Sequence, residues 1–166
     1  MRLLIFIVAG LALVVILVVV IGALLPKAHS VSRTVRIALP PDAVYAVIAD
    51  VGQYQSWRHE VKTLQRLPDV NGMPAWIEET GGMKIPMRFE RMERPSLLVA
   101  RIDTHELPFS GAWTYRIVPA GSGASALTIR EDGEVGNPFF RFMSRFVFGQ
   151  YATMDAFLKN LQKNAV

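Results

Sequence analysis

The sequence predicts an α+β fold in which a curved antiparallel seven-stranded sheet surrounds a long C-terminal helix, preceded by one transmembrane helix. Three observations lead there: an uncharged apolar run at the N-terminus, a series of short alternating segments between turn residues, and a long amphipathic segment at the C-terminus. Hydrophobic residues make up 51% of the 166 positions, yet the first 26 positions alone contain 22 of them. The remainder has the apolar content of one ordinary globular domain.

The apolar run extends from Leu3 to Leu25 without a charge, between Arg2 and Lys27. At about 1.5 Å per residue, a helix of this length crosses a hydrocarbon core of about 30 Å. A cleaved signal peptide is the alternative, but its apolar region is shorter and ends in a small-x-small pattern, whereas this run ends at Pro26. We therefore expect a single-pass membrane protein with an anchor at residues 1–26, a linker at 27–30 and a domain at 31–166.

Charge gives a weaker indication of sidedness and of partners. Lys27, Arg33 and Arg36 follow the apolar run and outnumber Arg2 before it, which leans toward a cytosolic domain. The net charge is only +4, and no stretch interleaves basic with aromatic residues, so nucleic acid is not an expected partner. The expected partners are the lipid bilayer and a hydrophobic small molecule.

The first elements of the domain follow from periodicity. Apolar and polar residues alternate from Val31 to Leu39, which predicts a strand. Pro40, Pro41 and Asp42 then open a helix that ends at Gly52, and residues 53–57 form a second short helix or turn.

The rest of the chain divides into strands and one helix. Turn residues separate predicted strands near 59–67, 74–80, 83–93, 97–105, 111–119 and 125–135. Their close spacing favours an antiparallel meander, because parallel strands need long crossovers. Asn137 and Pro138 form a helix start, and the pattern after them predicts one continuous helix from about 138 to 163.

Several of these segments resemble one known superfamily. The run from Val35 to Asp50 with Tyr54 and Trp57, then residues 111–115, 127–131 and 137–139, is similar to the START-like SRPBCC superfamily. More narrowly, it resembles bacterial proteins labelled polyketide cyclase/dehydrase and lipid-transport-like. The resemblance implies a helix-grip fold with an apolar pocket between the sheet and the final helix. Members include lipid carriers, quinone binders, cyclases and hydrolase activators, so the resemblance alone does not give the chemistry.

Strand parity and helix spacing select the candidate pocket wall. Methionine and aromatic side chains suit a surface that adapts to an apolar ligand, although the same residues also make an ordinary filled core. The expected ligand-binding residues are Trp57, Met87, Phe89, Trp113, Tyr115, Glu131, Met143, Phe146, Met154 and Phe157.

Three polar positions stand out on these faces. Glu131 interrupts an apolar face, and Arg91 continues the parity of Phe89, so both are expected to point inward. A buried carboxylate must be paired, hydrogen-bonded or protonated, so Glu131 is a handle for a ligand, a general acid or half of a structural pair with Arg91. The remaining alternative is a strand end turned toward solvent. Glu78 shares a strand face with Trp76 and raises the same question.

Enzyme signatures are sparse. His59 follows Trp57 and Arg58 at one end of the expected pocket and is either an acid–base group or a surface residue. The sequence has no cysteine, no HExxH pattern, no nucleophile elbow and no phosphate-binding or dinucleotide-binding loop. We therefore predict no metal and no cofactor, and assign no catalytic residue.

The leading hypothesis is a membrane-anchored domain that binds a lipid or an isoprenoid quinone without transforming it. One alternative is a cyclase or dehydratase that transfers protons through Glu131, His59 or Tyr115. Another is a scaffold with a filled core that binds a second protein through an exposed apolar patch.

Overall fold

Seven antiparallel strands form a single sheet, and the helices lie before, between and after them. The structure is a computed structural model that describes residues 1–149 and 151–164. The helices are α1 (Arg2–Leu24), α2 (Pro41–Ala49), α3 (Tyr54–Trp57), α4 (Pro138–Met143) and α5 (Ala152–Asn164). The strands are β1 (Ala28–Ile37), β2 (Val61–Val70), β3 (Met73–Thr80), β4 (Met83–Glu93), β5 (Leu97–Ile102), β6 (Phe109–Pro119) and β7 (Ser125–Val135).

The strand order is β1-β7-β6-β5-β4-β3-β2, so the first strand of the domain pairs with the last and the others follow as a meander. The predicted antiparallel seven-stranded sheet and the N-terminal apolar helix are confirmed. The predicted linker at residues 27–30 is too long, because Ala28 already pairs with Glu134 and His29 with Gly133. The strand extends to Ala28 because β7 continues far enough to supply its hydrogen-bond partners.

Helix α1 is long and apolar enough to cross a membrane, with a mean hydropathy of 3.6 over its most apolar 18 residues. Most of its surface is exposed, but Val18, Ile21, Gly22 and Leu25 are less so. These positions have the i, i+3, i+4, i+7 spacing of one helix face. That face packs against α4, and a Cβ atom at Gly22 would overlap the carbonyl of Pro138.

The interior between the sheet and helices α2, α3 and α5 is packed with aromatic rings. Phe157 of α5 lies 5.2 Å from Trp57, 5.6 Å from Tyr115 and 5.7 Å from Trp113, measured between ring centroids. Trp76 likewise lies 5.1 Å from Phe89 and 6.1 Å from Tyr54. We call these seven rings the aromatic cluster: Tyr54, Trp57, Trp76, Phe89, Trp113, Tyr115 and Phe157.

The predicted continuous helix over 138–163 is divided. Asn137 caps α4 as expected, accepting hydrogen bonds from the backbone N–H groups of Phe139 and Phe140. A π-helical turn at Ser144–Phe148 follows, and Gly149 has φ +79°, which ends the helix because that region suits glycine and not a helical residue. Helix α5 then begins at Ala152, and position 150 of the predicted helix lies outside the described residues.

Candidate functional site

A polar cluster interrupts the apolar inner face of the sheet near α1. The indole Nε1 of Trp113 donates to Glu131 Oε2 over 2.7 Å, and His29 Nε2 donates to Glu131 Oε1 over 3.1 Å. The strand register explains why these three side chains are in contact. Trp113 on β6 and Val31 on β1 both lie directly opposite Glu131, and His29 is two residues before Val31 on the same strand face. All three polar side chains are partly buried.

Glycine makes room for this cluster. Gly133 lies opposite His29 across the β1–β7 pair, and a Cβ atom there would come within 2.6 Å of the imidazole ring. Gly111 lies next to Gly133 on β6, where a Cβ atom would come within 2.9 Å of the carbonyl oxygen of Asp132. An isolated glycine inside a strand commonly marks such a close approach, and here it allows the His29 ring to lie across the sheet.

The predicted ligand-binding residues fall into three groups. Five are fully packed: Trp57, Phe89, Tyr115, Met154 and Phe157. Four are half-buried: Met87, Trp113, Glu131 and Met143. Phe146, expected on the sheet-facing side of one long helix, is instead 59% exposed, because the helix breaks at Gly149 and Phe146 belongs to the π-helical turn.

Arg91 does not join Glu131. The β4–β5 register shifts between Phe89 and Arg91, so Glu90 is an extra residue and the parity of the strand reverses after it. Arg91 consequently points outward and pairs with Glu93, while Met92 takes the inward position beside the core. Glu131 is satisfied by Trp113 and His29.

Glu78 is the second carboxylate on the inner face, and it belongs to a structural network. Both of its oxygens accept from the guanidinium of Arg58, at 2.9 and 3.1 Å, and Oε2 also accepts from Trp76 Nε1 at 3.1 Å. Burial by itself would lower the pKa of Arg58, but the Glu78 carboxylate outweighs it and the net shift is upward. Burial raises the pKa of the neighbouring Tyr54, which donates its hydroxyl proton to the carbonyl of Ile48.

His59, the predicted acid–base candidate, is exposed in the turn before β2 and lies outside this interior. Within residues 1–149 and 151–164, no three His, Asp or Glu side chains gather as a metal site. The titratable pair on the inner face is therefore Glu131 with His29.

The two best-formed concavities among the described residues both touch His29, and neither lies under α5. The first, about 490 Å³, is a broad groove on the outer face of the sheet beside Arg101, Ser110 and Asp132. The second, about 290 Å³, lies between the α1–β1 connection and the segment from α4 to the π-helical turn. We call it the junction pocket; its lining is Leu25, Pro26, Lys27, Ala28, His29, Ser30, Val135, Arg141, Ser144 and Arg145.

Residues 28–166 match the model of the family described as polyketide cyclase / dehydrase and lipid transport. The chain belongs to this family. No curated protein sequence matches the chain at a significant level.

Solved structures agree with the family's fold. A START superfamily protein from Mycobacterium smegmatis is 19% identical, with a TM-score of 0.67 over 82% of this chain and 97% of that one. The Zhui aromatase/cyclase from Streptomyces sp. R1128 is 18% identical, with a TM-score of 0.68 over 83% and 93%. Norcoclaurine synthase from Thalictrum flavum is 12% identical, with a TM-score of 0.64 over 82% and 86%. At these identities the likeness establishes the fold alone.

Sequence reasoning missed His29 and Arg58 as partners of the two inner carboxylates. His29 was assigned to the linker, although Gly133 directly opposite it was a usable signal of a close approach. The sequence places Arg58 near the pocket but gives no sign that it pairs with Glu78. Arg58 follows α3 and Glu78 lies on β3, and no sequence spacing relates these two positions.

Proposed function

We propose that α1 anchors the domain in a membrane and that the domain binds a hydrophobic small molecule, a lipid or an isoprenoid quinone, without transforming it. The family supplies the general class, a START-like domain that holds hydrophobic ligands. The position of the site is our inference. We assign it to the end of the sheet beside α1, at Glu131, Trp113 and His29.

The observation that carries this proposal is the contrast between the polar cluster and the aromatic cluster. Under α5 the rings of Trp57 and Tyr115 pack against Phe157, and all three side chains are buried. Beside α1 the inner face has a carboxylate and an imidazole that are only partly buried, and His29 also lines the junction pocket. A few placed polar groups at an otherwise apolar site are typical of small-molecule recognition.

An exposed apolar surface beside α1 supports the membrane location. Phe139, Phe140, Phe146, Val147 and Phe148 are between 43% and 63% exposed. They belong to the segment that packs on the last turns of α1, so they lie at the depth where α1 leaves the hydrocarbon. Aromatic residues favour this interfacial region, and a contiguous apolar surface of this kind marks a contact with lipid or protein.

We further propose that the domain lies on the cytosolic side. Lys27, Arg141 and Arg145 gather at the domain end of α1, whereas Arg2 stands at the other end. Basic residues near a membrane-spanning helix are more frequent on the cytosolic side. Reporter fusions at the C-terminus test this: activity of a cytosolic reporter and silence of an exported one are expected, and the reverse pattern contradicts the assignment.

Native mass spectrometry of the detergent-extracted full chain tests ligand binding. We expect a co-purified hydrophobic molecule, identified in parallel by solvent extraction. Glu131→Gln should reduce its occupancy, because the amide keeps the volume but removes the charge that His29 and Trp113 hold in place. Glu134→Gln, three residues along the same strand and exposed on the opposite face, is the matched control.

Two results contradict this proposal. The first is a wild-type chain that carries no hydrophobic molecule, with pull-down of a stoichiometric protein partner that requires Phe146 and Phe148. That pattern supports the scaffold alternative. The second is equal ligand occupancy in the Glu131→Gln and wild-type proteins, which removes Glu131 from the site.

The Glu131–His29 pair also favours a second candidate function, proton transfer in a cyclisation or dehydration. A carboxylate 3.1 Å from an imidazole can hold the ring in one tautomer while its other nitrogen exchanges a proton. The test is to incubate the extracted molecule with fresh wild-type protein and with His29→Gln, and to compare masses. A new product formed only by wild type supports catalysis, and unchanged molecules in both reactions support binding alone.

A further inference from the structure

We infer that the junction pocket binds the phosphate group of an anionic membrane lipid, at a site that adjoins the inner-face site of the small-molecule ligand and shares His29 with it. The inference rests on the proposed membrane location of α1. It concerns a pocket outside the sheet interior, at the point where the chain leaves α1 and enters β1.

The charge of the pocket is the first observation. Four basic side chains line it, from Lys27, His29, Arg141 and Arg145, and its lining has no aspartate or glutamate. Two carboxylates contact its lining residues from outside the pocket: Glu131 accepts from His29, and Asp132 accepts from the side chain of Ser30. Basic residues gathered next to a membrane-spanning helix attract anionic headgroups.

Arg141 provides the second observation. Its side chain is 8% exposed, and its two terminal nitrogens donate only to backbone carbonyls, those of Ala23, Leu25 and Gly136. Its Nε–H has no acceptor among the described residues. A buried guanidinium is normally neutralised by a carboxylate or phosphate, because burying a charge without one is costly.

Part of the role of Arg141 is structural. The last carbonyls of a helix lack partners within the helix and carry partial negative charge, and Arg141 satisfies two such carbonyls at the end of α1. Carbonyl dipoles compensate a guanidinium only in part. A phosphodiester in the pocket would supply the full negative charge and accept from the Nε–H of Arg141.

The surroundings favour a lipid over a free ion. Leu25 and Pro26 at the end of α1 form one wall of the pocket, and the exposed phenylalanines at 139, 140, 146 and 148 belong to the same segment as its other wall. A lipid held by its phosphate there would lay its acyl chains along α1 and these rings. The basic pocket thus matches the phosphate of a lipid, and the apolar surface matches its acyl chains.

The test uses the full chain in nanodiscs made of phosphatidylcholine and phosphatidylglycerol in equal amounts. After release into detergent, native mass spectrometry counts the lipids that remain bound. We expect wild type to retain phosphatidylglycerol in preference to phosphatidylcholine. The double variant Lys27→Gln with Arg145→Gln should lower that preference roughly 25-fold, because each basic side chain at an anionic surface contributes about fivefold.

The control is Lys62→Gln with Lys159→Gln, which removes the same charge from exposed sites elsewhere on the domain and should keep the wild-type preference. Equal retention of the two lipids by wild type, or an equal loss in the control, overturns the inference. Displacement of phosphatidylglycerol by an equal concentration of inorganic phosphate overturns the lipid assignment. Loss of the preference with the hydrophobic ligand still bound separates this site from the one proposed above, and failure of the protein to insert into nanodiscs identifies a failure of the anchor.

Discussion

The end of the sheet under α5 and the end beside α1 each have one carboxylate on the apolar inner face, and different side chains surround it. Under α5, aromatic rings meet at centroid distances between 5.1 and 6.1 Å, and the inner carboxylate Glu78 is closed off by a bidentate guanidinium. Beside α1, the inner carboxylate Glu131 stays partly accessible, and the covering helix turns aside at Gly149 to lie on α1. One end is closed by packing, and the other leaves its inner carboxylate partly exposed.

The difference indicates where substitutions should change stability and where they should change binding. Rings in close contact leave no room for relaxation, so removing one creates a cavity with a large energetic cost. Side chains that already contact solvent or lipid have little packing to lose. The following predictions, in order of expected size, test that division.

Phe157→Ala should lower the free energy of unfolding by about 3–5 kcal/mol, because the ring is fully buried against three others and its loss leaves a cavity. The measurement is urea unfolding of the full chain in a fixed detergent, followed by tryptophan fluorescence. Phe146→Ala is the matched control and should change stability by less than about 0.5 kcal/mol, since Phe146 is exposed. Equal losses in the two variants would show that the ends do not differ in packing.

Glu78→Gln should cost about 3 kcal/mol, because it leaves the Arg58 guanidinium buried without its carboxylate. The same unfolding assay applies. Asp69→Asn, which removes the exposed partner of Arg66, is the control and should cost less than about 1 kcal/mol. A small effect at Glu78 would mean that water reaches Arg58 and that this end is less closed than its burial indicates.

Alkaline pH should unfold the protein from the aromatic end. Burial raises the pKa of Tyr54 and of Tyr115 above their ordinary value near 10. In the pH range above about 10, the unfolded chain therefore ionises these phenols while the folded chain keeps them neutral. Stability is fully present below that pH and should fall as pH rises, by about 1.4 kcal/mol per pH unit for each tyrosine.

Tyr115→Phe tests that linkage by removing one of the phenols whose pKa burial raises. The slope of stability against pH above 10 should become shallower by about 1.4 kcal/mol per pH unit, while the slope below pH 9 should be unchanged. If the slope of stability against pH above 10 is the same in the variant and in wild type, groups other than Tyr115 cause the loss of stability at alkaline pH.

Asn137→Ala should have the smallest effect, about 1 kcal/mol, and a local one. The side chain of Asn137 caps α4 by accepting from Phe139 N at 2.9 Å and Phe140 N at 3.3 Å. Hydrogen exchange of the amides at 139–148 should speed up, with the amides of β6 and β7 unchanged. Faster exchange throughout the sheet would show that the α1-proximal end supports the core. Asn164→Ala, exposed at the end of α5, serves as the control.

Much of the fold was predictable because its signals are local. The alternation from Val31, the prolines before α2 and the Asn137–Pro138 start each concern a few adjacent residues, and each predicted element is present. The positions of the hairpin turns were also predictable, because glycine and proline residues mark them locally. The close spacing of the strands then left an antiparallel meander as the simplest arrangement.

The missed features depend on contacts between distant parts of the chain. The bulge at Glu90 moves the Arg91 side chain from the inner to the outer face of the sheet, and only the pairing of β4 with β5 reveals the bulge. The break at Gly149 accompanies the packing of α4 on α1, a contact between residues more than 100 positions apart. His29 and Arg58 bind the two inner carboxylates, which lie 102 and 20 positions away from them in the sequence, so no local periodicity could have paired them.

The connection between α1 and β1 sets how far the domain can travel. Only Leu25, Pro26 and Lys27 separate the helix from the strand, a reach of roughly 10 Å at full extension. With α1 in a bilayer, such a tether excludes shuttling between two membranes and confines every encounter to one surface. The molecule then samples its ligands by lateral diffusion at a high effective concentration, and a donor or acceptor must come to it.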